Sequence, residues 1–146
     1  MGKQETTSEV VAAKAIATIA HRYQTDKIGV PYIEHPRRVA ARLTKPKHIA
    51  AAWLHDVVED CGITPQDLAA AGISRKVVDA VVLLTRTEAN GGDGYYLEIR
   101  KNPIALAVKL ADIADNTDEK RTERLDPEKR AQLAAKYENA RNLLES

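Results

Sequence analysis

The stretch Pro46-Lys47-His48-Ile49-Ala50-Ala51-Ala52-Trp53-Leu54-His55-Asp56-Val57-Val58-Glu59-Asp60-Cys61 decides how this chain is built. Ile49, Trp53, Leu54, Val57 and Val58 recur at helical spacing, Pro46 suits an opening turn, and Cys61-Gly62 marks a break. The run predicts one helix over 46–61, apolar on most sides and therefore central. Yet it carries His55-Asp56 and then Glu59-Asp60, groups that are costly to bury alone.

A second run has the same contradiction. From Pro103, the residues Ile104, Leu106, Ala107, Leu110, Ala111 and Ile113 predict another strongly buried helix. Lys109, Asp112, Asp115 and Asn116 are set into it. Outward from these two runs the periodicity stays helical. It predicts a first helix from Glu9 to about Tyr23 with Ser8 as its cap, and a break over Thr25–Pro31. A second helix carries Val39 and Leu43, ends near Thr44 and has His35-Pro36 near its start. Thr64 caps a short helix to Ala71, and Ser74 opens one through Leu84 that is long for a strand. Residues Glu88–Gly94 read as a loop with equal claims to be a lid or a spacer. A modest helix follows over Tyr95–Lys101, and Asp126-Pro127 opens a last amphipathic one.

Composition agrees with this pattern. The 146 residues are 44% hydrophobic but only 4% aromatic, with no Phe, which suits close-packed helices rather than a β-sandwich. The expectation is a compact all-α bundle forming one domain over 1–146. A single cysteine, Cys61, excludes an internal disulfide. No secretion signal opens the sequence, and no stretch approaches the ~18 apolar residues of a membrane span, so a cytoplasmic, membrane-free location is expected. With 22 basic against 21 acidic residues, no nucleic-acid partner is expected, and any anionic ligand has to be held locally.

The polar clusters carry the chemistry. Spacing of four places Glu59 over His55, Asp60 over Asp56 and Asn116 over Asp112 on a helix. A divalent cation would make such clusters stable inside a core, with His35 completing the set from a third helix. Each piece has a structural alternative. His55-Asp56 could be a local hydrogen bond, and Asp112 could pair with Lys109 or Arg121. Glu59-Asp60 could be an exposed helix end, although acidic groups there oppose the macrodipole. His21 and His48, without comparable company, read as structural or exposed.

Taken in order, Tyr32-Ile33-Glu34-His35-Pro36, Trp53-Leu54-His55-Asp56-Val57-Val58-Glu59-Asp60 and Val108-Lys109-Leu110-Ala111-Asp112 through Asn116 resemble the HD phosphohydrolase superfamily. The Gly29–Pro36 start, Glu59-Asp60 and Lys109–Asp112 are similar to the hydrolase domain of RelA/SpoT proteins and the small alarmone hydrolases. The resemblance covers about Val11 to Arg124. It implies one Mn²⁺ held by His35, His55, Asp56 and Asp112, with Glu59 and Asp60 activating the attacking water. It also implies a nucleotide substrate, most directly the 3′-pyrophosphate of ppGpp. Lys27, Tyr32, Lys109 and Asn116 are the expected phosphate and base contacts. The alternatives are another nucleotide substrate, such as NADPH or a nucleoside phosphate, and a non-catalytic nucleotide-binding module. At this length no synthetase domain has room to follow, so a stand-alone hydrolase is expected.

Two departures from the family bear on substrate choice. The loop before Pro31-Tyr32 reads Thr25-Asp26-Lys27, with one cation where relatives often have two. Ile113 and Asp115 stand where relatives commonly carry a basic or bulky residue and an aromatic or His.

Overall fold

A computed structural model describes residues 7–87 and 92–146. Glu88, Ala89, Asn90 and Gly91, most of the expected lid or spacer, lie outside the described residues. The described residues form α1 (Ser8–Ala20), α2 (Glu34–Ala41), α3 (Pro46–Leu54), α4 (Val57–Cys61) and α5 (Pro65–Ala70), then α6 (Arg75–Leu84), α7 (Asp93–Ile99), α8 (Pro103–Asn116), α9 (Glu119–Thr122) and α10 (Pro127–Glu145). The fold is all-α, as its patterning predicts. Its extended backbone among the described residues is an isolated bridge between Thr25 and Pro31, which closes the turn before α2. Among the described residues no helix is long and apolar enough to cross a membrane.

The central position expected for the third helix is what α3 takes, packed against α1, α2, α6 and α8. Ala50, Ala51 and Ala52 are fully buried there, and such small side chains let neighbouring helices approach closely. Leu54, Val57, Val77, Val81, Ile99, Val108 and Ile113 fill the surrounding space without exposure. The ends follow cap chemistry. Thr64 and Asp67 form a reciprocal capping box on α5, Asn102 accepts from Ile104 N and Ala105 N at the start of α8, and Asp126 accepts from Lys129 N on α10.

The structure corrects four expectations. The run over 46–61 is two helices, because the chain turns at His55-Asp56 between α3 and α4. His55 Nδ1 lies 2.6 Å from the carbonyl of Ala52, so a side chain competes with the backbone ladder where α3 stops. Asp60 N still donates to the Asp56 carbonyl at 3.0 Å, so that pair keeps its helical spacing at the start of α4. The first helix ends at Ala20 and is capped by Thr7, whose hydroxyl accepts from Val10 N, not by Ser8. Ser74 occupies the cap position of α6 but makes no side-chain cap, its Oγ accepting instead from Lys47. The second helix stops at Ala41, short of Thr44.

Candidate active site

Three segments deliver the four side chains expected to hold a metal to one point: His35 from the first turn of α2, His55 and Asp56 from the turn after α3, and Asp112 from α8. His35 Nε2 lies 2.9 Å from Asp112 Oδ1 and 4.0 Å from Asp56 Oδ2. His55 Nε2 lies 3.1 Å from Asp56 Oδ2 and 3.6 Å from Asp112 Oδ1. One donor atom each from His35, His55 and Asp56 fits within a 4.8 Å span. A cavity of about 180 Å³ opens over them, lined also by Asp26, Tyr32, Arg38, Asn116 and Arg121.

The outward faces of the imidazoles are fixed. His35 Nδ1 is 2.8 Å from Asp115 Oδ2, and His55 Nδ1 is 2.6 Å from the Ala52 carbonyl. A carbonyl can only accept, so His55 donates from Nδ1, and Nε2 is the ring nitrogen turned inward. That buried Nε2 has no hydrogen-bond partner despite its nearness to Asp56. Two inward imidazole nitrogens facing two carboxylates, each imidazole oriented by an outer acceptor, is the donor set of a divalent transition-metal site. The residues fit such an ion.

The charges show the same convergence. Burial pushes the Asp56 carboxyl up, but His55 beside it and the Tyr32 hydroxyl outweigh this and hold it far below the usual carboxylate range. Asp112 is likewise buried and pulled well down by His35, His55 and Lys109. Both imidazoles are raised, burial opposing and the carboxylates prevailing. Asp115 is lowered to about 2, where His35 and Arg38 overcome its burial. Asp60 differs: burial, Asp56 and Glu59 push its carboxyl up.

Of the expected substrate contacts, Tyr32 donates its hydroxyl to Asp56 Oδ2 at 2.6 Å, and Asn116 Nδ2 donates to Asp112 Oδ1 at 3.2 Å. Both line the cavity. Lys109 is buried, its ammonium 3.0 Å from Asp112 Oδ2 and over the Tyr95 ring, so it neutralises Asp112. Lys27 is exposed in the Asp26 turn and outside the cavity lining. Glu59 and Asp60 also stand outside the lining; Glu59 accepts from Arg86 N at 2.7 Å, and the Asp60 carbonyl accepts from Gln24. His21 is structural, fully buried beneath the Tyr32 ring and bound to Gln24.

Three residues were not singled out as site residues by sequence reasoning. Asp115 holds His35, while Arg38 and Arg121 bind Asp115 and line the cavity. Arg38 follows His35 by three positions and Asp115 follows Asp112 by three, so helical spacing carried a signal for both. Arg121 carried none, since a loop and α9 bring it in.

No family model matches the chain. Curated relatives do. A guanosine-3′,5′-bis(diphosphate) 3′-pyrophosphohydrolase of Vibrio cholerae is 35% identical over 131 residues, covering 82% of this chain. The bifunctional (p)ppGpp synthase/hydrolase SpoT of Escherichia coli is 33% identical over 84% of it. This chain belongs to the RelA/SpoT hydrolase family. It spans about a fifth of those relatives, 19% of each. The HD-type helical fold also matches a solved structure, that of a metazoan SpoT ortholog described as hydrolysing ppGpp. The TM-score is 0.74 at 23% identity, over 97% of this chain and 86% of the other.

Proposed function

We propose that this chain hydrolyses a nucleotide phosphoester, releasing the 3′-pyrophosphate of ppGpp through a water activated beside a bound divalent cation, most suitably Mn²⁺. The observation that carries the reading is the convergence of His35 Nε2, His55 Nε2, Asp56 and Asp112 under an open cavity, in a chain whose curated relatives include 3′-pyrophosphohydrolases. A cation held by these four residues lowers the pKa of water and polarises phosphorus, which is the chemistry no side chain here supplies alone.

The chain's own residues do the rest. Ala52 and Asp115 hold the two imidazoles with Nε2 inward, and Tyr32 orients Asp56 through its hydroxyl. Lys109 offsets the charge of Asp112, and Asn116 presents an amide at the cavity edge. Glu59 and Asp60, on α4 just past the ligand turn, are the pair that takes the proton of the attacking water. The water oxygen bonds to the phosphorus attached to the ribose 3′ oxygen as that P–O bond breaks, so pyrophosphate is freed and the 3′ oxygen leaves as a hydroxyl, regaining a proton. A nucleotide substrate of this kind implies a cytoplasmic site of action.

The test is pyrophosphate release from ppGpp by Mn²⁺-loaded protein, beside Asp56→Ala and against NADPH and common nucleotides. Rapid, Asp56-dependent release is expected. Turnover of another panel member alone would move the substrate, and silence across the panel would favour a binding module.

A further inference from the structure

Two arginines meet on one buried carboxylate at the rim of the site. Arg38 Nε, from α2, donates to Asp115 Oδ1 at 2.9 Å, and Arg121 Nη1, from α9, donates to Asp115 Oδ2 at 2.6 Å. Asp115 is 1% exposed and already accepts from His35 Nδ1, so a single cation would have sufficed to compensate it. Each guanidinium makes this one side-chain hydrogen bond among the described residues, leaving its other N–H groups free. Both stay about one-third exposed, at 36% and 34%, and both line the cavity.

Charge and size narrow what those free donors meet. With a divalent cation bound, the ion and Lys109 balance Asp56, Asp112 and Asp115. The two guanidiniums are then a local surplus, opposed in the lining by Asp26. One oxygen of Asp26 already accepts from Ile28 N and Val30 N. A cavity of about 180 Å³ is room enough for a phosphate or pyrophosphate group. Planar guanidiniums with free parallel donors match phosphate oxygens in geometry as well as charge.

We propose that Arg38 and Arg121, set by Asp115, form a clamp for the outer phosphate of a pyrophosphate group whose inner phosphate lies at the His/Asp cluster. This rests on the hydrolase reading for the placement of the inner phosphate. Asp115 then has two linked roles: it positions His35 on one side and the clamp on the other.

The probe is inorganic pyrophosphate, titrated calorimetrically into Mn²⁺-loaded protein, with Mn²⁺ affinity measured separately. Arg38→Gln and Arg121→Gln are each expected to weaken pyrophosphate binding about 10-fold, the usual scale for a lost charge-assisted hydrogen bond. Mn²⁺ affinity should hold or rise, because removing a neighbouring positive charge does not repel a cation. Arg38→Lys and Arg121→Lys, which keep the charge beside Asp115, should fall between wild type and Gln. Unchanged pyrophosphate affinity in the Gln variants would overturn the clamp even if ppGpp is hydrolysed. A parallel loss of Mn²⁺ and pyrophosphate affinity in both Gln and Lys variants would reduce the arginines to structural ones and overturn it too. Arginine-dependent pyrophosphate binding without ppGpp turnover would uphold the clamp while removing the proposed activity.

Discussion

The central helix α3 meets a polar network at each end. At its N-terminus Lys47 Nζ donates to Glu9 Oε1 at 3.1 Å and to Ser74 Oγ at 3.2 Å, and Ser74 N donates to Glu9 Oε2 at 2.6 Å. Both oxygens of Glu9 have donors, and α1, α3 and α6 are tied together. At the C-terminal end His35, His55, Asp56 and Asp112 tie α2, α3 and α8, yet their inner atoms converge and His55 Nε2 has no partner. A network whose groups satisfy one another holds helices in place. One whose outer atoms are satisfied while its inner atoms converge is arranged for something else to bind.

The largest effect that could break this contrast is at the open end. Asp56→Ala should lose stoichiometric Mn²⁺ and cut pyrophosphate release by more than roughly 100-fold, the upper end of what an outer partner of a metal ligand costs. Metal analysis and initial rates decide it, and a variant that keeps both would make the open network merely structural. Asp115→Asn sharpens the contrast next. It keeps an acceptor for His35 but removes a charge, and Mn²⁺ titration should show affinity lower by about 10-fold.

The closed end should answer in stability instead. Burial opposes ionisation of Glu9, but Ser74 N–H and Lys47 prevail and hold its carboxyl below the ordinary value. A depressed carboxylate contributes stability above its unfolded pKa and loses it as pH falls through the lower folded value. Glu9→Gln should therefore cost about 1–3 kcal/mol at neutral pH. Denaturant curves for the two proteins should converge as pH drops below 4.5. Mn²⁺ affinity and hydrolysis should not change, and a loss of either would show that the two ends are not independent. The smallest effect is expected of Tyr32→Phe, which removes one hydrogen bond to Asp56. A drop of several-fold in turnover, equivalent to about 1 kcal/mol, is the expectation.

Much of the open end was legible because its residues contradict their surroundings. His55-Asp56 after Ala50-Ala51-Ala52-Trp53-Leu54, and Asp112 between Ala111 and Ile113, place charge where periodicity demands a core. His35 was legible only together with them. Lys109 was visible as a nearby cation, but its burial against Asp112, rather than at a phosphate, depends on where Tyr95 and Tyr96 pack. The break at His55 was illegible, since the apolar spacing runs on through Val57 and Val58 while a side chain captures the Ala52 carbonyl. Arg121 was visible only as a possible partner of Asp112, and its pairing with Asp115 instead depends on how α9 folds back towards α8.

The amino-acid sequence by itself determined the all-α class, the buried faces of α3 and α8 and the identity of the inward-facing ionisable groups. Those follow from local periodicity and from the cost of burying charge, which a single chain segment already expresses. Tertiary structure alone decided which oxygen faces which nitrogen, that Asp115 rather than Asp112 receives Arg121, and that the cations lining the cavity are arginines from α2 and α9. Those are pairings between helices, and they exist only once packing of the apolar faces has brought distant segments within a few ångströms.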